Sequence, residues 1–262
     1  MNTYKKNLLE WYQDLGIDYF MNQNIQDRSL DYSQSVAQIS IKNIEPKKRS
    51  LQNITRDLSN RCNTIQELKK AVDTFDKLDI QKYATNTVFA DGNDKSDIML
   101  IGEAPGVNED KYGIPFCGKS GTLLDNILST IKINRQNCYI TNTVFWRPPA
   151  NRRPTAFEID VCRPFVEKHV ELINPKIIIL VGSTAVESLL NLKTPMGQLR
   201  NKKFQYQNNY LKNSINTFVI FHPSYLLRQP LQKKSMWLDI QKIYHFYKNK
   251  ISSQIDEEIN TL

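Results

Sequence analysis

Polar side chains stand at four places in this chain where a run of apolar residues ends. The longest such segment, IGEAPGVNEDKYGIPFCGKSGTLLD, carries two acids, Glu103 and Glu109, among glycines and prolines. The other three runs end at Asn142, at Ser183 and, in FVIFHPS, at His222. Carboxylates can orient water for hydrolysis, and an imidazole can exchange a proton near neutral pH. These residue types indicate hydrolytic or proton-transfer chemistry if the fold brings them together.

The apolar runs themselves are typical of strands that are covered on both faces. They span 98–101, 139–144, 177–181 and 218–221. Helical patterns alternate with them, beginning at Ser120, at the capping box of Thr155 and Glu158, and at Ser183. This alternation predicts an α/β fold, a three-layer α/β/α sandwich with a central, mainly parallel four-stranded sheet. Ligands bind beyond the carboxyl ends of such strands, where we expect the polar residues to meet.

Charge and hydropathy limit the partners of the chain. Its 262 residues carry a formal net charge of +8 and a sequence pI near 9.2. This balance favours a polyanion such as DNA, although it does not distinguish DNA from an anionic membrane surface. No apolar run approaches the roughly 20 residues that span a bilayer, and acids interrupt the first segment, MNTYKKNLLEWYQDLG. We expect a cytoplasmic, nucleoid-associated protein that acts as a monomer.

The composition divides the chain into four regions. Residues 1–21 form a predicted amphipathic helix that would dock on a repair partner or on the main domain. Residues 22–58 are polar and typical of a flexible linker. Residues 59–250 form the predicted main domain, and residues 251–262 a polar C-terminal tail.

The motif GEAPG alone is a weak signal. It lacks the G-x-G-x-x-G spacing of a dinucleotide-binding turn and the Gly-Lys-Ser/Thr of a P-loop. Together with GIPFCGKSGTLLD, TNTVFWRPPANRRPT and HPSYLLRQP, in this order, it resembles the uracil-DNA glycosylase superfamily, most closely its family 4 branch. The resemblance covers residues 97–239 and implies a monofunctional enzyme of base excision repair. Such an enzyme flips uracil out of DNA and hydrolyses its N-glycosidic bond, leaving an abasic site.

The resemblance implies a uracil pocket in the main domain. Phe116 would be the ring on which the base stacks, Asn142 would read the base edge, and Gly102 and Ala104 would line the pocket. His222 would donate to uracil O2 while negative charge accumulates on the departing base. From the residues alone, Phe116 can also be read as a core phenylalanine, and Asn142 as a turn former or helix cap.

The resemblance also implies a group that orients the attacking water. Glu103 is our first choice, with Glu109 and Asn151 as further candidates, because Ala104 stands where other branches carry a catalytic aspartate. A related branch traps the abasic sugar through a histidine in the loop after R-P-P. Here that loop, PPANRRPTAFE, contains no histidine, so we expect no covalent adduct. His169 lies within a helical pattern and is predicted to be structural.

Contacts to DNA follow from the same resemblance. Leu226 and Leu227 would be apolar wedges that fill the gap left by the flipped nucleotide, with Arg228 beside them on a phosphate. The two leucines can also be read as ordinary packing. Lys119 and Ser183 would contact the DNA backbone, Ser183 from a helix N-terminus. Further cationic contacts would come from Arg147, Arg152 and Arg153.

The chain departs from the family pattern at a cofactor. Family 4 enzymes usually hold a four-iron cluster through an N-terminal C-x-x-C, a cysteine just before R-P-P and another beyond it. Here only Cys162 matches, since Trp146 occupies the third position and the leading segment offers only Cys62. A cluster needs more thiolates than these. We therefore expect no iron–sulfur centre and no metal, with Trp146 packed near Cys162 instead.

Two other classes of function compete with this interpretation. A non-catalytic DNA-binding or repair-associated module would keep the fold and the basic charge, but it would not need Phe116, Asn142 and His222 together. A nucleotide-binding Rossmann-like enzyme would need a glycine fingerprint, which the sequence lacks. Excision of uracil from an oligonucleotide distinguishes the glycosylase from both.

Overall fold

A mixed β-sheet forms the centre of residues 50–259, the part of the chain that this computed structural model describes. The strands are β1 (Ala90–Gly92), β2 (Ile98–Gly102), β3 (Tyr139–Asn142), β4 (Ile177–Val181), β5 (Phe204–Tyr206) and β6 (Ile215–Ile220). Their order across the sheet is β1-β3-β2-β4-β6-β5. The inner strands β3, β2, β4 and β6 run parallel, whereas β1 and β5 pair with their neighbours in antiparallel orientation.

The predicted parallel core is confirmed, but the predicted number of strands is wrong. The sheet has six strands rather than four, because two short strands extend its edges. Strands β1 and β5 contain three residues each, ADG and FQY, which is too short to show a hydrophobic period. Short edge strands of this kind leave little open edge for pairing with another chain.

Helices cover both faces of this sheet. In chain order they are α1 (50–60), α2 (Ile65–Thr74), α3 (Val107–Tyr112), α4 (Lys119–Ser129), α5 (Ala156–Ile173), α6 (Ser183–Leu190), α7 (Met196–Leu199), α8 (Pro223–Arg228) and α9 (Lys233–Ile259). Helices α1, α2, α5 and α6 pack on one face, and α4, α8 and α9 on the other. Strand β2 contributes side chains to the cores on both faces of the sheet. Met99 and Ile101 belong to the first core, and Ile98 and Leu100 to the second. The three-layer sandwich is confirmed.

Local capping explains where the long helices begin. At α5 the Thr155 hydroxyl accepts from the Glu158 amide at 3.2 Å, and the Glu158 carboxylate accepts from the Thr155 amide at 2.7 Å. This is the predicted capping box. Helices α4 and α6 begin slightly earlier than predicted, capped by Gly118 and Gly182. Gly182 has a φ of +93°, a conformation that favours glycine at the turn from β4 into α6.

The predicted linker is wrong over its last residues. Residues 50–60 are helical, and α1 buries Leu51 and Thr55 against the domain. Arg56 pairs with Glu167 of α5 at 3.4 Å. The apolar period of α1 is faint because its buried positions include threonine and serine, which explains why the sequence pattern reads as polar linker.

Neither predicted terminal region lies wholly within the described residues 50–259. The predicted N-terminal helix and the linker up to residue 49 lie outside the described residues. At the other end, α9 continues to Ile259, through most of the predicted tail. Within residues 50–259, no helix combines the length and the apolar content that crossing a bilayer requires.

Candidate active site

A cavity of about 490 Å³, here called the edge cavity, opens at the carboxyl ends of the parallel strands. The predicted site residues that line it are Glu103, Ala104, Glu109, Phe116, Lys119, Asn142, Asn151, His222 and Arg228. A second groove of about 750 Å³ adjoins it and adds Ser183. Glu103, His222 and Arg228 line both. Four distant motifs therefore meet at one edge of the sheet.

Gly102 allows the side chains of Asn142 and Phe116 to lie close together. It pairs with Asn142 at the carboxyl ends of β2 and β3. A Cβ at position 102 would lie 2.4 Å from Asn142 Oδ1 and 2.5 Å from Phe116 Cζ. Ordinary contacts between carbon atoms need about 3.5–4.0 Å. Only glycine at this position allows the amide and the ring to approach so closely.

Phe116 belongs both to the core and to the edge cavity. Its side chain is only 5% exposed and packs in the same apolar cluster as Leu124. The remaining exposed surface lines the cavity, and the ring centroid lies 5.7 Å from that of His222. The backbone φ of Phe116 is +52°, a left-handed conformation that bulky residues rarely adopt. Phe116 is therefore a core residue that also borders the cavity, and its stacking on a base stays a prediction.

Asn142 is the last residue of β3 and is 2% exposed. Its backbone pairs within the sheet, and it caps no helix in the described part of the chain. Its side-chain amide forms no hydrogen bond with another residue between 50 and 259, although it lines the cavity. An amide that is buried and uncommitted can donate and accept toward a ligand. A role as turn former or cap does not describe this residue.

His222 caps α8, and this contact fixes its protonation. Its Nδ1 accepts from the Ser224 backbone amide at 3.2 Å and lies 2.8 Å from the Ser224 hydroxyl. An Nδ1 that accepts from an N–H cannot carry a proton itself, so the neutral ring is protonated at Nε2. Burial lowers the pKa of His222, while the charge of Glu103 nearby opposes that effect. The imidazole is therefore neutral at pH 7.

Glu103 is held through one of its carboxylate oxygens. Oε2 accepts from the Thr184 hydroxyl at 2.5 Å. That hydroxyl in turn accepts from Arg153 Nε at 2.9 Å, so its own proton must point to Glu103. Arg153 is anchored on Glu187 at 2.6 Å. These linked contacts fix the orientation of the Glu103 carboxylate, whereas Oε1 forms no hydrogen bond with another residue between 50 and 259.

Glu109 is tied to the backbone through both oxygens. Oε2 accepts from the Gly106 amide at 3.1 Å, and Oε1 accepts from the Gly118 amide at 2.8 Å. These two bonds join the GEAPG turn to the loop before α4. Glu109 lines the edge cavity, but both of its carboxylate oxygens already accept hydrogen bonds that stabilise the loops of the cavity wall.

The arginines of the R-P-P segment also have protein partners. Arg147 Nε donates to Asn151 Oδ1 at 2.8 Å, which holds Asn151 at the rim with a φ of +54°. Arg152 forms a two-pronged pair with Glu158 at 2.8 and 2.7 Å, and Arg153 contacts Thr184. These contacts shape the rim, while the Arg152 and Arg153 side chains remain 41% and 52% exposed, so their contact with phosphate stays a prediction.

The predicted DNA contacts are partly exposed and partly buried. Lys119 and Ser183 are exposed first residues of α4 and α6, and Arg228 is exposed at the end of α8. Leu227 is 45% exposed, but Leu226 is fully buried in the core. The prediction that Leu226 is a wedge is therefore wrong for this structure, because α8 turns that side chain inward.

Leu231 is an apolar residue that the sequence analysis does not single out. It is 90% exposed in the short 3₁₀ segment Pro230–Gln232, just beyond Arg228. Gln232 lines the adjoining groove, so this segment borders the site. A single leucine between a proline and a polar run gives no periodic signal, and only its exposure identifies it.

The described cysteines do not suit an iron–sulfur cluster. Cys162 and Cys62 are 0% and 4% exposed, and burial raises the pKa of both thiols, which disfavours the thiolates that a cluster requires. Trp146 is buried, and its Nε1 donates to Thr87 at 3.2 Å. Its ring lies 6.2 Å from that of Phe75. Within residues 50–259, no group of three or more His, Cys, Asp or Glu is arranged to hold a metal ion.

Comparison with known proteins identifies the family. Residues 89–241, which hold every residue that lines the edge cavity, match the Uracil DNA glycosylase superfamily. A type-4 uracil-DNA glycosylase of Archaeoglobus fulgidus is 32% identical over 184 residues, 69% of this chain and 92% of that protein. A type-4 uracil-DNA glycosylase of Thermotoga maritima is 37% identical over 169 residues, 63% of this chain and 85% of that protein. A DNA polymerase of Bacillus phage SP01 is 26% identical over 165 residues, 63% of this chain but 17% of the polymerase.

Proposed function

Because this chain belongs to the uracil-DNA glycosylase superfamily and is a hydrolase of that class, we propose that it flips uracil from DNA into the edge cavity and excises it. Hydrolysis of the N-glycosidic bond leaves an abasic site. The observation that carries the proposal is the meeting of Phe116, Asn142 and His222 around one cavity, made possible by Gly102. A non-catalytic module would not need this arrangement.

Asn142 reads the flipped base in this proposal. Its amide is buried and uncommitted, so the carbonyl can accept from uracil N3–H while the NH₂ group donates to O4. Cytosine presents the opposite pattern, an acceptor at N3 and a donor at N4. Pairing it with the same amide would leave buried polar groups unsatisfied, which is costly. The Phe116 ring supports the base by stacking.

His222 stabilises the leaving group. Since Nδ1 accepts from Ser224, the proton on Nε2 is available to uracil O2, where negative charge develops as the glycosidic bond breaks. A neutral donor serves this role because the charge that it meets exists only in the transition state. The lowered pKa of His222 keeps the donor in that form across the neutral range.

Glu103 positions the water and favours the positive charge that develops on the sugar. Its carboxylate is oriented by Thr184 and still has acceptor capacity toward the cavity. Glu109 has already accepted two backbone amides and acts as a clamp between loops. We therefore assign the water to Glu103 and a supporting role to Glu109, with Asn151 at the rim.

DNA lies across the face that contains the edge cavity and the adjoining groove. Lys119, Arg228 and the exposed N-terminus of α6 at Ser183 meet the phosphates. Leu227 and Leu231 are the exposed apolar residues beside Arg228 and take the wedge role. The net charge of +8 supports binding to the polyanion.

The reaction proceeds without a covalent adduct and without an iron–sulfur cluster. The loop after R-P-P has no histidine to trap the sugar, and the donor set around Cys162 does not suit a cluster. Denaturing gels of the reaction would show a shifted band if an adduct formed. Broad visible absorption in protein purified without oxygen would contradict the absence of a cluster.

An excision assay with a matched control tests the function. The full chain is incubated with an oligonucleotide that contains one uracil, and abasic sites are cleaved with alkali. We expect Asn142→Ala to lower kcat/KM by about 10³-fold, because the site loses both hydrogen bonds to the base. Asn126→Ala, an exposed asparagine of α4, is the control and should match the parent. DNA binding without excision by the parent chain would favour the non-catalytic module.

A further inference from the structure

The loop that carries Phe116 is held from outside the family motifs. Arg135 lies between α4 and β3, and its guanidinium donates to two successive carbonyls of this loop. Nη2 donates to Phe116 O at 2.5 Å, and Nη1 donates to Pro115 O at 3.0 Å. Arg135 does not line the edge cavity, so it can act on a ligand there only through the residues that it holds, of which Phe116 is the one that lines the cavity.

Phe116 needs such support because of its backbone conformation. Its φ of +52° places a bulky residue in the left-handed region, which persists only where the surroundings impose it. Gly121 of α4 lies against the same carbonyl, since a Cβ there would sit 1.5 Å from Phe116 O. Arg135 and Gly121 therefore constrain one carbonyl together. That carbonyl fixes the direction in which the ring leaves the backbone.

Two carboxylates hold the guanidinium in register. Asp91 of β1 accepts from Nη1 at 2.6 Å, and Asp125 of α4 accepts from Nε at 3.2 Å. The Arg135 side chain is 26% exposed, so this pair of contacts is shielded from full solvent. A planar fork with donors on three nitrogens fits this set of acceptors, whereas a lysine ammonium cannot reach all of them at once.

We propose that Arg135 is a positioning residue for base stacking, which holds Phe116 in its left-handed conformation and so presents the ring to the flipped uracil. The inference rests on the proposed function for its ligand and on the geometry of the loop for its mechanism. Asp91 and Asp125 are the partners that keep the guanidinium in place. Arg135 and Asp91 lie outside the motifs that identify the site, whereas Asp125 is the last residue of GIPFCGKSGTLLD.

A kinetic cycle tests the link between the two residues. Excision from a single-stranded oligonucleotide with one uracil is measured for the parent, Arg135→Gln, Phe116→Ala and the double variant, together with inhibition by free uracil. We expect Arg135→Gln to raise KM and the inhibition constant of uracil by about tenfold, since stacking is partly lost. The double variant should be no worse than Phe116→Ala. Arg135→Lys should recover only part of the loss.

The matched control is Arg163→Gln. Arg163 of α5 also makes two side-chain contacts, with Asp160 of its own helix at 2.8 Å and with Asn191 after α6 at 3.2 Å, but it does not line the edge cavity. It should leave inhibition by uracil unchanged. If Arg135→Gln does not fold, Asp91→Asn should shift the inhibition constant in the same direction by a smaller factor. Unchanged inhibition by uracil, or effects that multiply in the double variant, would overturn the proposal.

A second experiment, here called the melting arm, compares the melting temperatures of variants and does not depend on activity. Glycine adopts a positive φ freely, so Phe116→Gly should melt at a higher temperature than Phe116→Ala while Arg135 is present. In the Arg135→Gln background the loop can relax, and the difference should disappear. A difference that persists there would show that Arg135 does not impose the conformation. If the parent excises no uracil, the proposed function fails, and this arm still decides the role of Arg135.

Discussion

The edge cavity and the core under α5 each enclose a histidine, and burial lowers the pKa of both. His222 stands at the cavity, with Nδ1 bonded to Ser224 and Nε2 left for a ligand. His169 stacks on Phe89 with centroids 4.5 Å apart, and its Nε2 lies 2.7 Å from the Tyr139 hydroxyl. Its pKa is lowered to about 3, and its Nδ1 has no hydrogen-bond partner in the described structure.

The contrast shows what a shifted pKa can and cannot identify. Desolvation alone keeps His169 neutral, and His169 lines neither the edge cavity nor the adjoining groove. His222 differs because a backbone contact selects its tautomer and a cavity receives its free nitrogen. Both pKa values are lowered, although only one of the two residues has a proposed function. Geometry, rather than the direction of the shift, separates the two.

Substitution of each histidine in turn should give the largest difference in activity between the two regions. We expect His222→Ala to lower kcat by about 10²–10³-fold, the loss typical of a donor to a developing anion. His169→Gln keeps a partner for Tyr139 and should leave kcat within the same order of magnitude. Single-turnover excision measures both. Equal losses in the two variants would remove the distinction between the regions.

Acid titration of the free energy of unfolding should reveal the contribution of His169. The unfolded chain protonates His169 near its ordinary pKa of 6.5, whereas the folded chain resists protonation down to about 3. Stability from this residue is therefore complete above pH 6.5 and is lost as the pH falls. Between pH 6.5 and 5 the loss amounts to about 2 kcal/mol. Urea unfolding of parent and His169→Gln at both pH values should reveal this difference in slope.

The pH profile of the parent tests the protonation of His222. Since its pKa lies below the ordinary range, kcat should stay level as the pH rises from 6.5 to 8.5. An essential imidazolium would instead lose activity about tenfold per pH unit above its pKa. Rates of excision under single-turnover conditions, with the DNA saturated by an excess of the protein, decide between these outcomes. His169→Gln should reproduce the parental profile.

The exposed rim should give the smallest effects. Leu231→Ala and Leu227→Ala should lower excision from a duplex by about three- to tenfold, because a wedge helps only where a base must leave a stack. Excision from a single strand should not change. Leu238→Ala, which is exposed to a similar extent as Leu227 at 49%, is the control. Equal losses on both substrates would speak against a wedge.

The sequence predicts the parts of the site that short motifs encode. Asn142 and His222 stand where strands end in polar residues, Phe116 is singled out by the family resemblance, and all three line one cavity. Contacts that depend on tertiary packing are different. Arg135 and Thr184 reach the site from other elements, with no periodic or motif signal. The hydrogen bonds from the Gly106 and Gly118 amides to Glu109 likewise depend on how the two loops pack in the folded protein, which the sequence does not indicate.

The errors have the same physical origin. Leu226 and Leu227 are adjacent and identical, so only the start of α8 decides which one faces the core. Strands β1 and β5 are too short for a hydrophobic period, and α1 buries threonine and serine at core positions. In each case the sequence carries too weak a periodic signal to decide the placement.

Position 102 has room for a hydrogen atom and for nothing larger. Any side chain there would push the Asn142 amide and the Phe116 ring apart at once, so one methyl group would disable recognition and stacking together. Attempts to widen the range of excised bases should therefore begin at Ala104, which already lines the pocket and carries a Cβ. The specificity of the proposed pocket can therefore be changed at Ala104 in the cavity wall, but not at Gly102.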